Sequence, residues 1–214
     1  WVSIVSEDWQ WRMITPRKGD VASLPLNPEG RRVANLWDPA KDEASGEQCK
    51  AYGAPAVMRA PGRLRITWEN DATLRIDTDA GKQTRFLRFG ASPPPGEPSL
   101  QGHSTAEWVT AGGTGGYLKV VTKNLRPGYL RKNGVPYSAN AVLTEYFDKV
   151  PGPGGRQWLV LKTIVETPDA LGIPKTGITW TFQIRDGVKG CEGMFIANGI
   201  ANTMLAPVKY ELND

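Results

Sequence analysis

The stretch Arg63–Phe89 sets apolar against charged residues in alternation, interrupted at two turn dipeptides. A period of two belongs to a pleated strand, because successive side chains leave opposite faces of the sheet. Leu64, Ile66 and Trp68 share one parity, and Arg63, Arg65 and Thr67 share the other. After Asn70-Asp71 the chain resumes with Leu74 and Ile76 against Arg75 and Asp77. Ala80-Gly81 then turns into Lys82–Phe89. The pattern predicts an antiparallel three-strand meander with one apolar and one charged face.

The same period recurs at Val2–Val5, Trp9–Ile14, Thr105–Thr110, Tyr117–Thr122, Ala141–Val150, Gln157–Glu166 and Thr176–Arg185. About ten strands with few helices read as an all-β chain, a closed barrel or a sandwich. Helical signals are confined to residues 27–44. Asn27 is placed to cap, Pro28 sits at the first helical position and Glu29 lies in the first turn. Pro39 restarts the pattern after Asp38, which predicts two short helices instead of one. Pro151–Gly155 reads as a turn, and the Pro-rich Ser92–Pro98 as a loop between strands. With no repeat and no linker, residues 1–214 are expected to form a single β domain. The tail beyond Arg185 is weakly patterned.

Hydrophobic residues make up 40% and charged residues 22%, the values of a water-soluble globule. No apolar run reaches the ~20 residues of a membrane helix, so no membrane span is expected. A net charge of +4, mixed along the chain, lacks the concentrated basic face of a nucleic-acid binder. Cys49 and Cys191 are far apart and in no metal-like spacing. A disulfide between them, formed in an oxidising compartment, is the reading favoured over two separate thiols.

Several phrases carry a resemblance: VSIVSEDWQWRM from Val2, LPLNPEGRRVANLWDPAKDEASGEQCKAYGAPAVMR from Leu24, TLRIDTDAGKQTR from Thr73 and RPGYLRKNGVPYSANAVLTEYF from Arg126. They resemble a large group of uncharacterised exported bacterial proteins. The resemblance implies a periplasmic or secreted location and an antiparallel meander closing into a lipocalin-like barrel, with no established chemistry. It also implies a second cysteine near the C-terminus as the partner of Cys49. The segment beyond Arg185 departs from it.

If the charged face of the meander lies in a barrel interior, Arg63, Arg65, Arg75, Asp77, Asp79 and Arg85 become a lining that orients a polar ligand head. On the outside they are a solvated face of cross-strand charge pairs. Glu107, beside Trp108, and Glu145, between Thr144 and Tyr146, have apolar or aromatic neighbours. Glu145 shares its parity with Leu143 and Phe147 and is the stronger candidate for a buried carboxylate. A carboxylate so placed can act as a general acid or base, and Glu145 and Asp77 are the candidate proton carriers. His103 beside Ser104 lacks the phrase and the strand–turn–helix setting of a hydrolase nucleophile. Pairing His103 with Asp77 and Asp79 is too weak a pattern to assign a metal, and no cofactor is implied. Gly112–Gly116 reads as a hairpin end and not as a phosphate loop.

Residues 123–137 mix Lys123, Arg126, Arg131 and Lys132 with Tyr129 and Tyr137. Long loops of this kind often form lids or binding surfaces, and aromatics beside cations suit an anionic or sugar-like ligand. The expected function is therefore an exported β-barrel that binds a small, partly apolar molecule. Residues 123–137 are expected at its mouth, with Glu107, Trp108, Tyr129, Arg131 and Tyr137 among the ligand contacts. The alternatives are an acid–base enzyme of the isomerase, hydratase or lyase type, and an assembly protein joined through strand edges. Oligomeric state is not legible.

Overall fold

The computed structural model describes residues 1–3, 17–21, 24–60, 62–112, 115–151, 153–167, 178–185 and 197–200. The expected strand at Trp9–Ile14, most of the tail beyond Arg185, and Cys191 lie outside these residues. Cys49 is a half-buried free thiol. The expected Cys49–Cys191 bridge therefore has only one partner in the described residues, and that partner is unbonded.

Near the start, β1 (Val2–Ser3) precedes a helical segment: α1 (Pro28–Leu36), α2 (Pro39–Ala44), a 3-10 turn (Gln48–Tyr52) and α3 (Ala54–Val57). The Asn27 side chain caps α1 by accepting the Gly30 N–H at 2.7 Å. Asp38 caps α2 by accepting the Ala40 N–H at 3.1 Å. Each cap satisfies an amide that the helix itself leaves unpaired. The two short helices are those expected from Pro28 and Pro39; the 3-10 turn and α3 are additional.

The strands follow as β2 (Leu64–Asn70), β3 (Thr73–Thr78), β4 (Gln83–Phe89), β5 (His103–Ala111) and β6 (Gly115–Lys123). After the short pair β7 (Gly128–Tyr129) and β8 (Pro136–Tyr137) come β9 (Val142–Pro151), β10 (Gln157–Glu166), β11 (Ile178–Arg185) and β12 (Ala197–Ile200). One sheet runs in the order β1-β11-β10-β9-β6-β5-β4-β3-β2, with β12 on β11. The protein is mostly β, a curled sheet forming a half-barrel with a few short helices. No helix among the described residues is long and apolar enough to cross a membrane.

The meander is as expected. β2, β3 and β4 are antiparallel, with Ile66 opposite Ile76 and Ile76 opposite Arg85. The Asn70 side chain accepts the Ala72 N–H at 3.0 Å and closes the first turn. The pairing of β4 with β5 differs from an antiparallel meander: it is parallel, with Leu87 beside Ser104 and Phe89 beside Ala106. Two strands can run the same way only if the chain returns to its starting end, which the Pro-rich connection 90–102 does. A lipocalin-type up-and-down barrel has antiparallel neighbours throughout.

One face of this sheet is the core face. Ile76, Leu87, Val120, Leu143, Leu161 and Val165 are each at most 1% exposed. Removing each such side chain from water contributes about 1.5–3 kcal/mol. Ala54, Val57 and Met58 of the helical segment, with Leu125, Leu130, Val135 and Tyr137, join them in a single core. At the outer edge of β2, Leu64 and Trp1 exchange both backbone hydrogen bonds, at 2.8 and 2.9 Å. Because β1 pairs with β11 (Val2 opposite Arg185), residues 1–3 touch both ends of the strand order.

Candidate functional site

The core face is not wholly apolar. Arg85 on β4 and Glu145 on β9 are both fully shielded from solvent and form a two-pronged ion pair, at 3.0 and 2.5 Å. The guanidinium also lies 3.5 Å from the Thr122 hydroxyl on β6, which bonds Ser104 on β5 at 2.7 Å. Thr163 on β10, directly opposite Glu145, is 3% exposed. A polar row therefore crosses five neighbouring strands within the core face. Among the described residues the Arg85 Nε and Thr163 Oγ1 have no hydrogen-bond partner. Buried polar atoms of that kind are uncommon in folded proteins and call for a physical reason.

Above this row, toward the β5–β6 hairpin, the same face turns apolar with Leu118, Phe147, Leu159 and Leu161. It ends in three rings. Trp68 shares the parity of Leu64 and Ile66, Phe89 that of Arg85 and Leu87, and Trp108 that of Ser104 and Ala106. Phe89 lies 5.5 Å from Trp68 and 5.8 Å from Trp108, centroid to centroid, the second pair stacked. Trp68 is 55% and Trp108 62% exposed, although both continue the parity of the core face.

The remaining residues expected at a site are dispersed. Arg65, Arg75 and Asp77 lie on the opposite, outer parity and away from Glu145. There Arg75 and the Thr84 hydroxyl both bond the Asp77 carboxylate, at 2.9 and 2.6 Å. The Thr84 hydrogen bond is the main cause holding Asp77 below the usual carboxylate range, with Arg75 adding to it. Of the six charged meander residues expected to line a site, only Arg85 turns inward; Arg63 and Asp79 form an exposed ion pair. The register of Arg85 opposite Ile76 decides its direction, because the phrase Thr84–Phe89 has bulky apolar residues on both parities.

Glu107 is exposed and bonds Lys119 at 2.7 Å on the outer face. His103 and Ser104 are separated by parity. Ser104 faces the core, whereas His103 Nε2 lies 2.9 Å from the Ser92 hydroxyl. Burial, reinforced by Arg88, holds the His103 imidazole below its ordinary value. Among the described residues no group of three or more His, Cys, Asp or Glu is arranged to hold a metal.

Residues 123–137 pack on the helical segment, at the end of the half-barrel away from the Trp68–Phe89–Trp108 rings. They are not the rim expected from the sequence, because β7 and β8 fold back and seal the core. Tyr137 is 1% exposed, and Gly53 and Gly128 leave space for its hydroxyl that a Cβ would fill. Arg131 is 4% exposed beside Arg59, whose guanidinium donates to the Pro55 and Leu130 carbonyls at 2.7 and 2.6 Å. Burial, aided by the charge of Arg131, pushes Arg59 down to about 9. Tyr129 alone of the expected loop contacts reaches an open surface, in a cleft between this segment and α2.

Trp68, Phe89 and the Arg85–Glu145 contact were not singled out as a site from the sequence. The parity of Trp68 with Leu64 and Ile66 was the available signal. Comparisons of the chain with protein-family models, with curated proteins and with solved structures find no match.

Proposed function

We propose that this chain is an exported β-barrel protein that binds a small, partly apolar molecule on the inner face of its sheet. In this reading the barrel closes where Trp1 meets Leu64, and the protein works in the periplasm or outside the cell, as its sequence resemblance implies. The observation that carries the proposal is the gradient along one face: aromatic rings that reach the surface, then an apolar wall, then a buried charged row. A ligand with an apolar body and one polar end matches that order. Its ring or chain rests on Phe89 and Trp108, and its polar end meets Arg85 Nε and the Thr163 hydroxyl, two atoms of the buried row that lack partners among the described residues. Glu145 supports an acid–base enzyme less well, since Arg85 engages both its oxygens.

The test is a fluorescence titration with N-phenyl-1-naphthylamine, an uncharged apolar probe. Saturable binding is expected, weakened about tenfold by Trp108→Ala, the equivalent of 1.4 kcal/mol. Trp108 is exposed, so the fold is expected to persist, which circular dichroism would check. Absence of saturable binding, or binding indifferent to Trp108→Ala, would sink the proposal.

A further inference from the structure

A cleft of about 200 Å³ opens on the helical side of the molecule, between α1, α2, the 3-10 turn and β7. Its walls are the rings of Trp37, Tyr52 and Tyr129, and its polar groups come from Asp42, Gln48 and Lys132. These residues come from two stretches of the chain, 37–52 and 129–132, and belong to none of the strands lining the inner face of the sheet.

Each ring is held in place. Trp37 packs on Gly134 and Tyr52 on Gly81, so closely that a Cβ at either glycine would overlap the ring. Both glycines have positive φ, +84° and +64°, a conformation that favours glycine. The Tyr129 hydroxyl donates to Asp42 Oδ1 at 3.2 Å. Rings fixed before a ligand arrives lose little freedom on binding it.

The charges narrow the ligand. An aromatic cage with a carboxylate suits a quaternary ammonium, but here Lys132 already places its ammonium 4.6 Å from the Tyr52 centroid. Lys50 stands 5.9 Å from the Tyr129 centroid and 3.9 Å from Asp42. A second cation would meet these two. A neutral ring with an apolar C–H face and several hydroxyls would not. Its C–H face suits the aromatic walls, while Asp42 accepts, Lys132 donates and Gln48 does both. At about 200 Å³ the cleft is below the usual range for drug-sized ligands and matches one ring.

We propose that the cleft bounded by Trp37, Tyr52 and Tyr129 binds a single pyranose unit of a neutral carbohydrate. The proposal stands apart from the apolar ligand of the inner face.

Saturation-transfer NMR on the full chain tests it, with methyl β-glucopyranoside, methyl α-mannopyranoside and methyl N-acetyl-β-glucosaminide as probes. Tetramethylammonium and benzoate serve as cationic and anionic comparators. At least one glycoside is expected to bind saturably. Tyr129→Ala and Gln48→Leu should each weaken it about tenfold, whereas Trp108→Ala should leave it unchanged. Gln48 is exposed, so its replacement tests the cleft even if Tyr129→Ala unsettles the fold. No glycoside signal, a signal only from a comparator, or glycoside binding unaltered by Gln48→Leu would overturn the proposal. Because Trp108 belongs to the other site, failure here and failure there are separable.

Discussion

Arg85 on β4 and Glu145 on β9 form a buried two-pronged ion pair although two strands, β5 and β6, lie between them. Three inter-strand steps of ~4.8 Å would set their backbones about 14 Å apart on a flat sheet. The curl of the sheet brings the two side chains together, and Ser104 and Ala106 are small enough for the arginine to pass over β5. The pair is therefore a tie across the concave side of the half-barrel. Its hydrogen bonds offset part of the large cost of removing two charges from water.

Removing one partner should expose that cost. Glu145→Leu or Arg85→Met alone should each destabilise the fold by about 3–5 kcal/mol, since the other charge stays buried and unpaired. The double variant should lose much less than the sum. Urea denaturation of the four proteins of this cycle checks it; additive losses would show that the pair is not coupled.

Stability should respond to pH in two separate windows. His103 has a folded value below its ordinary 6.5, through burial and then Arg88, so the unfolded chain takes up the proton first. Stability is therefore expected to fall as pH drops from 6.5 toward the folded value, and to respond no further below it. Asp77 is a depressed carboxylate, mainly through Thr84, and its contribution is present above 3.8 and fades as pH falls through the folded value. Denaturation midpoints measured from pH 8 to 3 should show both declines, with His103→Gln erasing only the upper one.

The cap of α1 should be measurable by itself. Asn27→Ala removes the acceptor of the Gly30 amide and is expected to cost about 1 kcal/mol, with Asn27→Asp nearly neutral. Thermal unfolding monitored at 222 nm would read both; equal losses would argue against capping.

Gly134 and Gly154 both have positive φ, but only Gly134 has an aromatic ring against it. Alanine at Gly154 should cost the left-handed strain alone, about 1–2 kcal/mol. Alanine at Gly134 must also displace Trp37 and should cost distinctly more. Equal midpoints in guanidinium would mean that the ring moves freely.

What could be read from the sequence is local. Period two assigned Leu64, Ile66, Leu74 and Ile76 to one face and Arg65, Arg75 and Asp77 to the other, because the pleat leaves no choice once the strand is extended. Asn27-Pro28 and Asp38-Pro39 marked two helix starts, because capping needs only a side chain and an amide two or three residues on. Glu145 was legible as buried from its parity with Leu143 and Phe147.

Its partner was not legible. Thr84–Phe89 carries apolar residues on both parities, so the inward turn of Arg85 rests on register against Ile76, a long-range pairing. The parallel β4–β5 contact depends on how the 90–102 connection returns, and loop sequence does not encode direction. The cleft of Trp37, Tyr52 and Tyr129 exists only because the helical segment and residues 123–137 pack together. The pleat and the caps act over a few residues and are written in the chain; curvature, strand order and the meeting of distant side chains are decided by the packing of the whole.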